Sequence, residues 1–217
     1  EATMKLPDIA AIRSDYARAG LDEKDLDPSP VVQLEKWLAE AIAAGHPEPT
    51  AMMLATVTSS GDPAARVVLL KGIDSGLVFF TNYESAKGRD LASHPRAAAT
   101  FFWVLLERQV RVTGDVSQVS RAETDAYFAS RPYESRIGAW ASAQSSVLAS
   151  RAELEEKLAA LRAKYPEGTD VPTPPFWGGY RIAPTQVELW QGRPSRLHDR
   201  VRYTRDNEGW TIERLSP

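Results

Sequence analysis

An α+β fold, a mainly antiparallel β-barrel decorated by helices, is what the sequence predicts, and three observations lead to it. Between Ala51 and Val119 at least five β-rich runs follow one another, and their connections are short and rich in Gly, Pro, Ser and Asp, as in hairpins rather than parallel crossovers. Helical periodicity is concentrated before Gly45 and between Arg121 and Tyr165, so the helices decorate the strands instead of alternating with them. With 217 residues, 43% hydrophobic and 25% charged, the chain has the composition and size to bury one substantial core.

The elements are justified in order. Pro7-Asp8 opens a helix that carries Ile9, Ile12 and Tyr16 and ends at Gly20. The second helix has Ser29 as its cap, Pro30 at its first position, an apolar stripe of Val31, Leu34, Trp37, Leu38 and Ile42, and Gly45 as its stop. The period then changes to that of strands over Ala51–Thr58, Ala64–Ile73 and Leu77–Thr81, which are β-branched and aromatic and are separated by Ser-Ser-Gly-Asp-Pro and Asp-Ser-Gly turns. A short helix over Ser85–Ser93 interrupts the meander, and strands resume at Ala97–Leu106 and Gln109–Val119. Helices are expected over Arg121–Ser130 and Ser150–Tyr165. A Pro-rich connection then leads to strands at Tyr180–Trp190 and across Asp199–Leu215, the last two joined near Asp206-Asn207-Glu208-Gly209.

Composition excludes several functions. The net charge is −3, which does not suit a general nucleic-acid binder held by phosphate neutralisation, so any cationic cluster is local. The chain has no cysteine and only three histidines, without ligand spacing between them, and no metal site is expected. The longest apolar runs are too short to cross a bilayer and no charged-then-apolar leader opens the sequence, so a soluble cytoplasmic protein is expected. No strand–GxGxxG–helix unit calls for a dinucleotide.

Several stretches carry chemistry. In Trp190–Arg200, reading WQGRPSRLHDR, Arg196, His198 and Arg200 alternate, so an extended strand would turn two guanidinium groups and an imidazole to one anion-binding face. A solvated edge strand, where cations discourage pairing, reads the same way. Arg66-Val67-Val68-Leu69-Leu70-Lys71 places cations at both ends of an apolar run, on opposite faces by strand parity unless a bulge or a second subunit intervenes. Thr81–Gly88 passes from strand end to helix start, where free N–H groups suit a phosphate and Lys87 adds a charge. Tyr127 and Arg131 share a helical face, Pro132 ends that helix, and the Ser135 hydroxyl follows, three donors able to converge on one phosphate. Gln109 sits in a strand pattern, and Gly138–Ser146 is small and polar around Trp140. Read singly, each stretch is equally an ordinary surface feature.

Their order along the chain resembles the pyridoxamine (pyridoxine) 5′-phosphate oxidase family. The resemblance runs from about Arg13 to Pro217 and is carried by Arg66–Lys71, Glu107-Arg-Gln-Val110, Ser130-Arg-Pro132, Ile137-Gly-Ala-Trp140, Gln144-Ser-Ser146, Phe176-Trp-Gly-Gly179, Trp190-Gln-Gly192, Arg196-Leu-His-Asp-Arg200 and Glu213-Arg-Leu-Ser-Pro217. It implies a split β-barrel of the FMN-binding type and a single domain over residues 1–217, with a flexible segment 1–20 and a dimerisation and active-site region over about 176–217. It further implies a homodimer with FMN in clefts between subunits, and oxidation of pyridoxamine or pyridoxine 5′-phosphate by dioxygen to pyridoxal 5′-phosphate, in vitamin B6 metabolism. By the same resemblance FMN is held by Arg66, Val67, Val68, Leu69, Lys71, Phe80, Thr81, Lys87, Gln109, Gln144, Ser145, Trp190 and Arg200. The substrate phosphate falls to Lys71, Tyr127, Arg131 and Ser135, the reacting end to Arg196 and His198 as catalytic groups, and a closing N-terminal segment to Arg13 and Tyr16. Ala86 stands where many members carry arginine, and Phe80 where many carry tyrosine. A split-barrel flavin reductase and a non-catalytic FMN or pyridoxal phosphate binder are the alternatives, and neither needs the Arg196–Arg200 run.

Overall fold

The computed structural model describes residues 8–11 and 14–217. Among these residues nine strands form one sheet: β1 (Ala51–Val57), β2 (Pro63–Leu69), β3 (Gly72–Ile73), β4 (Leu77–Asn82), β5 (Arg96–Trp103), β6 (Arg108–Gln118), β7 (Trp177–Gln191), β8 (Asp199–Arg205) and β9 (Trp210–Leu215). Every pairing is antiparallel, in the order β2-β1-β5-β6-β7-β4-β3, with β8 on β7 and β9 on β8. The fold is therefore the α+β split barrel. The split is visible in β7, which pairs with β6 along most of its length but exchanges its other neighbour. Trp177–Ile182 lie on β4, and Gln186–Gln191 lie on β8. A register shift at Thr113/Gly114 marks the change of partner, as expected of a bulge that bends a strand.

Among the described residues five α-helices surround the sheet: α1 (Pro30–Ala43), α2 (Ala86–Ser93), α3 (Arg121–Ser130), α4 (Tyr133–Ala141) and α5 (Arg151–Lys164). Ser29 caps α1 as expected, and Ser85, Ser120 and Ser150 cap α2, α3 and α5 in the same way, each accepting a backbone N–H in the first turn. One core cluster fills the barrel with Leu54, Phe79, Phe101, Val112, Ile182 and Leu189, and α1 adds Leu34 and Trp37 to it. A second cluster of Phe128, Ile137, Val171 and Trp177 ties α3, α4 and α5 to the start of β7.

Four sequence expectations need correction. Among the described residues of the expected first helix, Ile9–Ala11 form a short 3-10 turn and residues 14–17 are not helical, because the latter lie across the sheet end and are held there by side chains described below. The expected strand Ala64–Ile73 breaks after Leu69, which frees Lys71 from strand parity. The helix α4 was not foreseen. Pro132, read only as the end of α3, also serves as its N-cap residue. Finally, Arg196 and His198 are not on a strand. Pro194–Arg196 form a 3-10 turn with Ser195 at φ 57° and Arg196 at φ 60°, and β8 begins only at Asp199. Proline at the start of the turn and two left-handed residues remove the alternation that would have set Arg196, His198 and Arg200 on one face.

Candidate functional site

Two clefts contain most of the residues singled out in the sequence. The first, of about 470 Å³, lies where the ends of β2 and β4 meet α2, α3, α4 and the start of β7. Val67, Val68, Leu69 and Lys71 line it from β2 and its exit, Phe80 and Thr81 from β4, Lys87 from α2, Gln144 from the loop after α4, and Tyr127, Arg131 and Ser135 from α3 and α4. All four residues expected to grip a substrate phosphate are therefore brought together.

The floor of this cleft is cationic by construction. Ser85 caps α2 and sets its first turn against the strand end. Lys87, only 8% exposed, donates from Nζ to Thr81 Oγ1 at 3.2 Å and Gln144 Oε1 at 3.4 Å. Burial holds its pKa below the ordinary lysine value, and the Arg66 charge adds to the effect. Arg66 donates to Thr56 Oγ1 at 2.6 Å and to the Leu54 carbonyl at 3.3 Å, and pairs with Asp90 at 3.3 Å. Asp90 also accepts from the Thr56 hydroxyl at 2.6 Å. On the other wall the Arg131 backbone is extended at φ −75°, ψ 149°, as a residue before proline must be. Its Nη1 is buried with no hydrogen-bond partner, and desolvation pulls its pKa down from the usual arginine value while Tyr127 opposes the shift. A buried guanidinium nitrogen without an acceptor is a costly arrangement, and one that an anion would relieve.

The second cleft, of about 460 Å³, is formed by Ser14, Asp15, Tyr16, Arg193, Ser195, Arg196 and His198. Tyr16 meets Trp190 edge-on at 5.7 Å and His198 at 5.9 Å. Its segment is strapped down by Glu107, whose carboxylate accepts the Ala17 and Arg18 N–H groups at 3.1 and 3.0 Å, and by Asp199, which accepts from Leu21 N at 3.0 Å. Gly192 is required beneath the strap, since a Cβ there would stand 2.8 Å from Tyr16. His198 Nδ1 accepts from the Arg193 N–H at 3.0 Å, so the neutral ring carries its proton on Nε2. Arg13 lies outside the described residues.

The remaining expected residues are divided between these places. Gln109, Trp190 and Arg200 are register partners across β6, β7 and β8 and form one row at the second cleft's end of β7. Arg200 is engaged by Glu188 at 2.9 Å and by the Ser216 carbonyl at 2.9 Å. Ser145, at φ 71°, lines a smaller neighbouring hollow beside Gln144. Sequence reasoning missed Thr56, Asp90 and Trp177. Thr56 had a signal, a polar residue in an otherwise apolar strand, and Asp90 lies one helical turn after Lys87; Trp177 had none beyond its place in the Phe-Trp-Gly-Gly motif.

The split barrel and its two clefts, which set cations such as Lys87, Arg131 and Arg196 against aromatic rings, match one family of oxidoreductases. The chain belongs to the pyridoxamine 5′-phosphate oxidase family. The model of that family, described as pyridoxamine 5′-phosphate oxidase, matches residues 38–165, and the model of the pyridoxine 5′-phosphate oxidase C-terminal dimerisation region matches residues 177–217. The pyridoxine/pyridoxamine 5′-phosphate oxidase of Burkholderia multivorans is 59% identical over 96% of this chain and 99% of its own length, and that of Burkholderia cenocepacia is 57% identical with the same coverage. The crystal structure of PhzG from Burkholderia lata, in complex with tetrahydrophenazine-1-carboxylic acid, is 33% identical with a TM-score of 0.87, covering 93% of this chain and 99% of that one. A pyridoxamine 5′-phosphate oxidase-related, FMN-binding protein of Nostoc punctiforme shares the fold at 20% identity, with a TM-score of 0.70 over 87% of this chain and 98% of that one. Among the described residues no helix is long and apolar enough to cross a membrane, and no group of three or more acidic or histidine residues could hold a metal.

Proposed function

We propose that the protein is a cytoplasmic, FMN-dependent homodimeric enzyme that oxidises pyridoxamine or pyridoxine 5′-phosphate to pyridoxal 5′-phosphate, with dioxygen as electron acceptor. The observation that carries this reading is a pair of cations in the first cleft, the buried Lys87 and the half-buried Arg131 with its enclosed Nη1, neither of which has a carboxylate partner among the described residues. Two separate cationic points fit two phosphates, one from each of two phosphorylated aromatic molecules. Lys87, with Arg66, Thr81 and Gln144, would hold the FMN phosphate, and Lys71, Tyr127, Arg131 and Ser135 the substrate phosphate. Ala86 supplies no guanidinium, and Asp90 offsets part of the Arg66 charge, so the cofactor phosphate rests chiefly on Lys87.

Distance supports the homodimer reading. Trp177 borders the phosphate cleft and Trp190 borders the Arg196–His198 cleft, and these residues are separated by roughly 40 Å measured along β7 at the usual rise per residue. One phosphorylated pyridine does not span that length within a single chain. A twofold-related copy brings its Arg196–His198 end to the first chain's phosphate end, in keeping with the match to a dimerisation region. The exposed apolar face of Met53, Val57, Val67, Leu69 and Phe102 on β1, β2 and β5 provides a surface for the second copy.

FMN, held by these residues, would supply the hydride-accepting chemistry and the two-electron reduction of dioxygen to hydrogen peroxide. The chain's own part is placement and proton handling. The phosphate grip fixes the pyridine so that C4′ has one orientation. Arg196, with no carboxylate pair among the described residues, lends positive charge that eases proton loss from the amine or alcohol. His198, its Nδ1 already accepting from Arg193, offers Nε2–H as a donor and orients that group rather than taking its proton. The PhzG likeness favours a second reading, a tricyclic carboxylic acid as substrate. Purified protein is mixed in air with pyridoxamine 5′-phosphate or with tetrahydrophenazine-1-carboxylic acid; peroxide and pyridoxal 5′-phosphate in the first mixture support the proposal, and turnover of the second compound alone replaces it. A colourless protein that takes up no FMN overturns both.

A further inference from the structure

Among the described residues Arg131 has no carboxylate partner. Its guanidinium carbon lies 4.7 Å from the ring centre of Trp177 and 5.8 Å from that of Phe128, while its Nη1 is enclosed and without a partner. Trp177 also belongs to a stack of near-parallel rings. Phe80 lies 5.5 Å from it at 15°, Tyr127 lies 6.2 Å from it at 8°, and Phe80 and Tyr127 are 3.9 Å apart at 19°. The indole is 6% exposed and its backbone is fixed on three sides. Its N–H donates to the Pro174 carbonyl at 3.1 Å, its carbonyl accepts from Arg121 at 3.0 Å, and the residue pairs with Asn82 in the β4–β7 ladder.

We propose that Trp177 is the positioning residue that makes this site selective for phosphate monoesters, by holding Arg131 and Tyr127 through its ring faces instead of through hydrogen bonds. A carboxylate in its place would occupy the guanidinium fork and cancel its charge. A ring face attracts the cation and fixes its plane, and it uses none of the N–H donors. Arg131 is thereby kept charged, with its donor edge free for phosphate oxygens. The Phe80–Tyr127 stack on the same indole sets the position of the phenol beside it. Phenylalanine at position 80 suits this role, because that ring serves here as a stacking spacer. The inference rests on the reading of Lys71, Tyr127, Arg131 and Ser135 as a phosphate grip and assigns that grip its scaffold.

The test uses FMN-loaded enzyme and inorganic phosphate as the probe. Competitive inhibition by phosphate and by unphosphorylated pyridoxine is measured for the native enzyme and for Trp177→Leu, Trp177→Phe and Arg131→Ala. The expected result is a phosphate inhibition constant raised about tenfold in Trp177→Leu, a pyridoxine constant within twofold of native, and recovery of most of the phosphate affinity in Trp177→Phe. A phosphate constant that is native-like in Trp177→Leu, or a parallel loss for phosphate and pyridoxine, overturns the inference, since a merely structural tryptophan would not separate the two ligands. If Trp177→Leu does not fold, Trp177→Phe and Trp177→His carry the same comparison, with phosphate affinity falling from Trp through Phe to His and pyridoxine affinity level. Phosphate inhibition unchanged in Arg131→Ala would instead defeat the underlying reading of the cluster.

Discussion

Lys87→Met separates the cost of a buried charge from its use. Lys87 is 8% exposed, its hydrogen-bond partners are the neutral Thr81 and Gln144 side chains, and Arg66 repels it. Methionine keeps the length of the chain and removes the charge. In the FMN-free protein the substitution is stabilising, and each kcal/mol of relief raises Tm by about 2–4 °C for a chain of this size. The pH dependence has a definite sign. Because the folded-state pKa lies below the ordinary lysine value, the folded protein sheds this proton first, and stability rises with pH from the folded pKa toward the ordinary lysine value of 10.5. Lys87→Met loses that rise. The comparison is made below pH 10, since Tyr180 and Tyr203, both pushed up to about 12 by burial, withdraw stability above it. FMN binding moves the other way: a charge-assisted hydrogen bond is worth about 1.5–3 kcal/mol, so its loss weakens FMN by about ten- to a hundredfold. Thermal melts of the FMN-free proteins and titration of FMN fluorescence read the two effects. FMN affinity within twofold of native would refute the assignment of Lys87 to the cofactor phosphate, and a less stable FMN-free variant would refute the argument that its buried charge is costly.

The other predictions concern the two clefts and the contact between copies. Arg131→Ala raises the KM for pyridoxine 5′-phosphate about tenfold or more with a smaller change in flavin reduction, whereas Arg196→Ala mainly slows reduction; stopped-flow bleaching that shows both parameters falling equally in both variants ends this division of labour. His198→Gln keeps a donor near the Nε2 position, so flavin reduction stays within about tenfold of native. Loss on the scale of general-base removal, about 10²–10⁴-fold, would make His198 a base. Met53→Glu places a charge on the apolar face shared with Val67, its register partner. It yields monomers by size-exclusion chromatography with weakened FMN binding, and a dimer with native FMN content would move the interface elsewhere.

The helices and strands were legible wherever local chemistry decides them. Ser29-Pro30 and Gly45 bracket α1, Ser120 opens α3, and the turn residues between β1 and β5 are those that hairpins require. The same local reading failed at Arg193–His198. Alternation implied a strand, but Pro194 and the left-handed Ser195 and Arg196 make a turn whose shape depends on the Tyr16 strap and on the Arg193–His198 hydrogen bond. It also missed α4, because the proline that closes one helix opens the next.

The sequence by itself determined which elements form and, through the order of its motifs, which residue types gather at the site, because caps, turns and periodicity act within a few residues. Only the tertiary structure decided that Arg131 lies on Trp177, that Asp90 engages Arg66, and that the two clefts stand at opposite ends of β7. These depend on strand register and on which faces pack together, and such contacts join positions far apart in the chain that no local preference links.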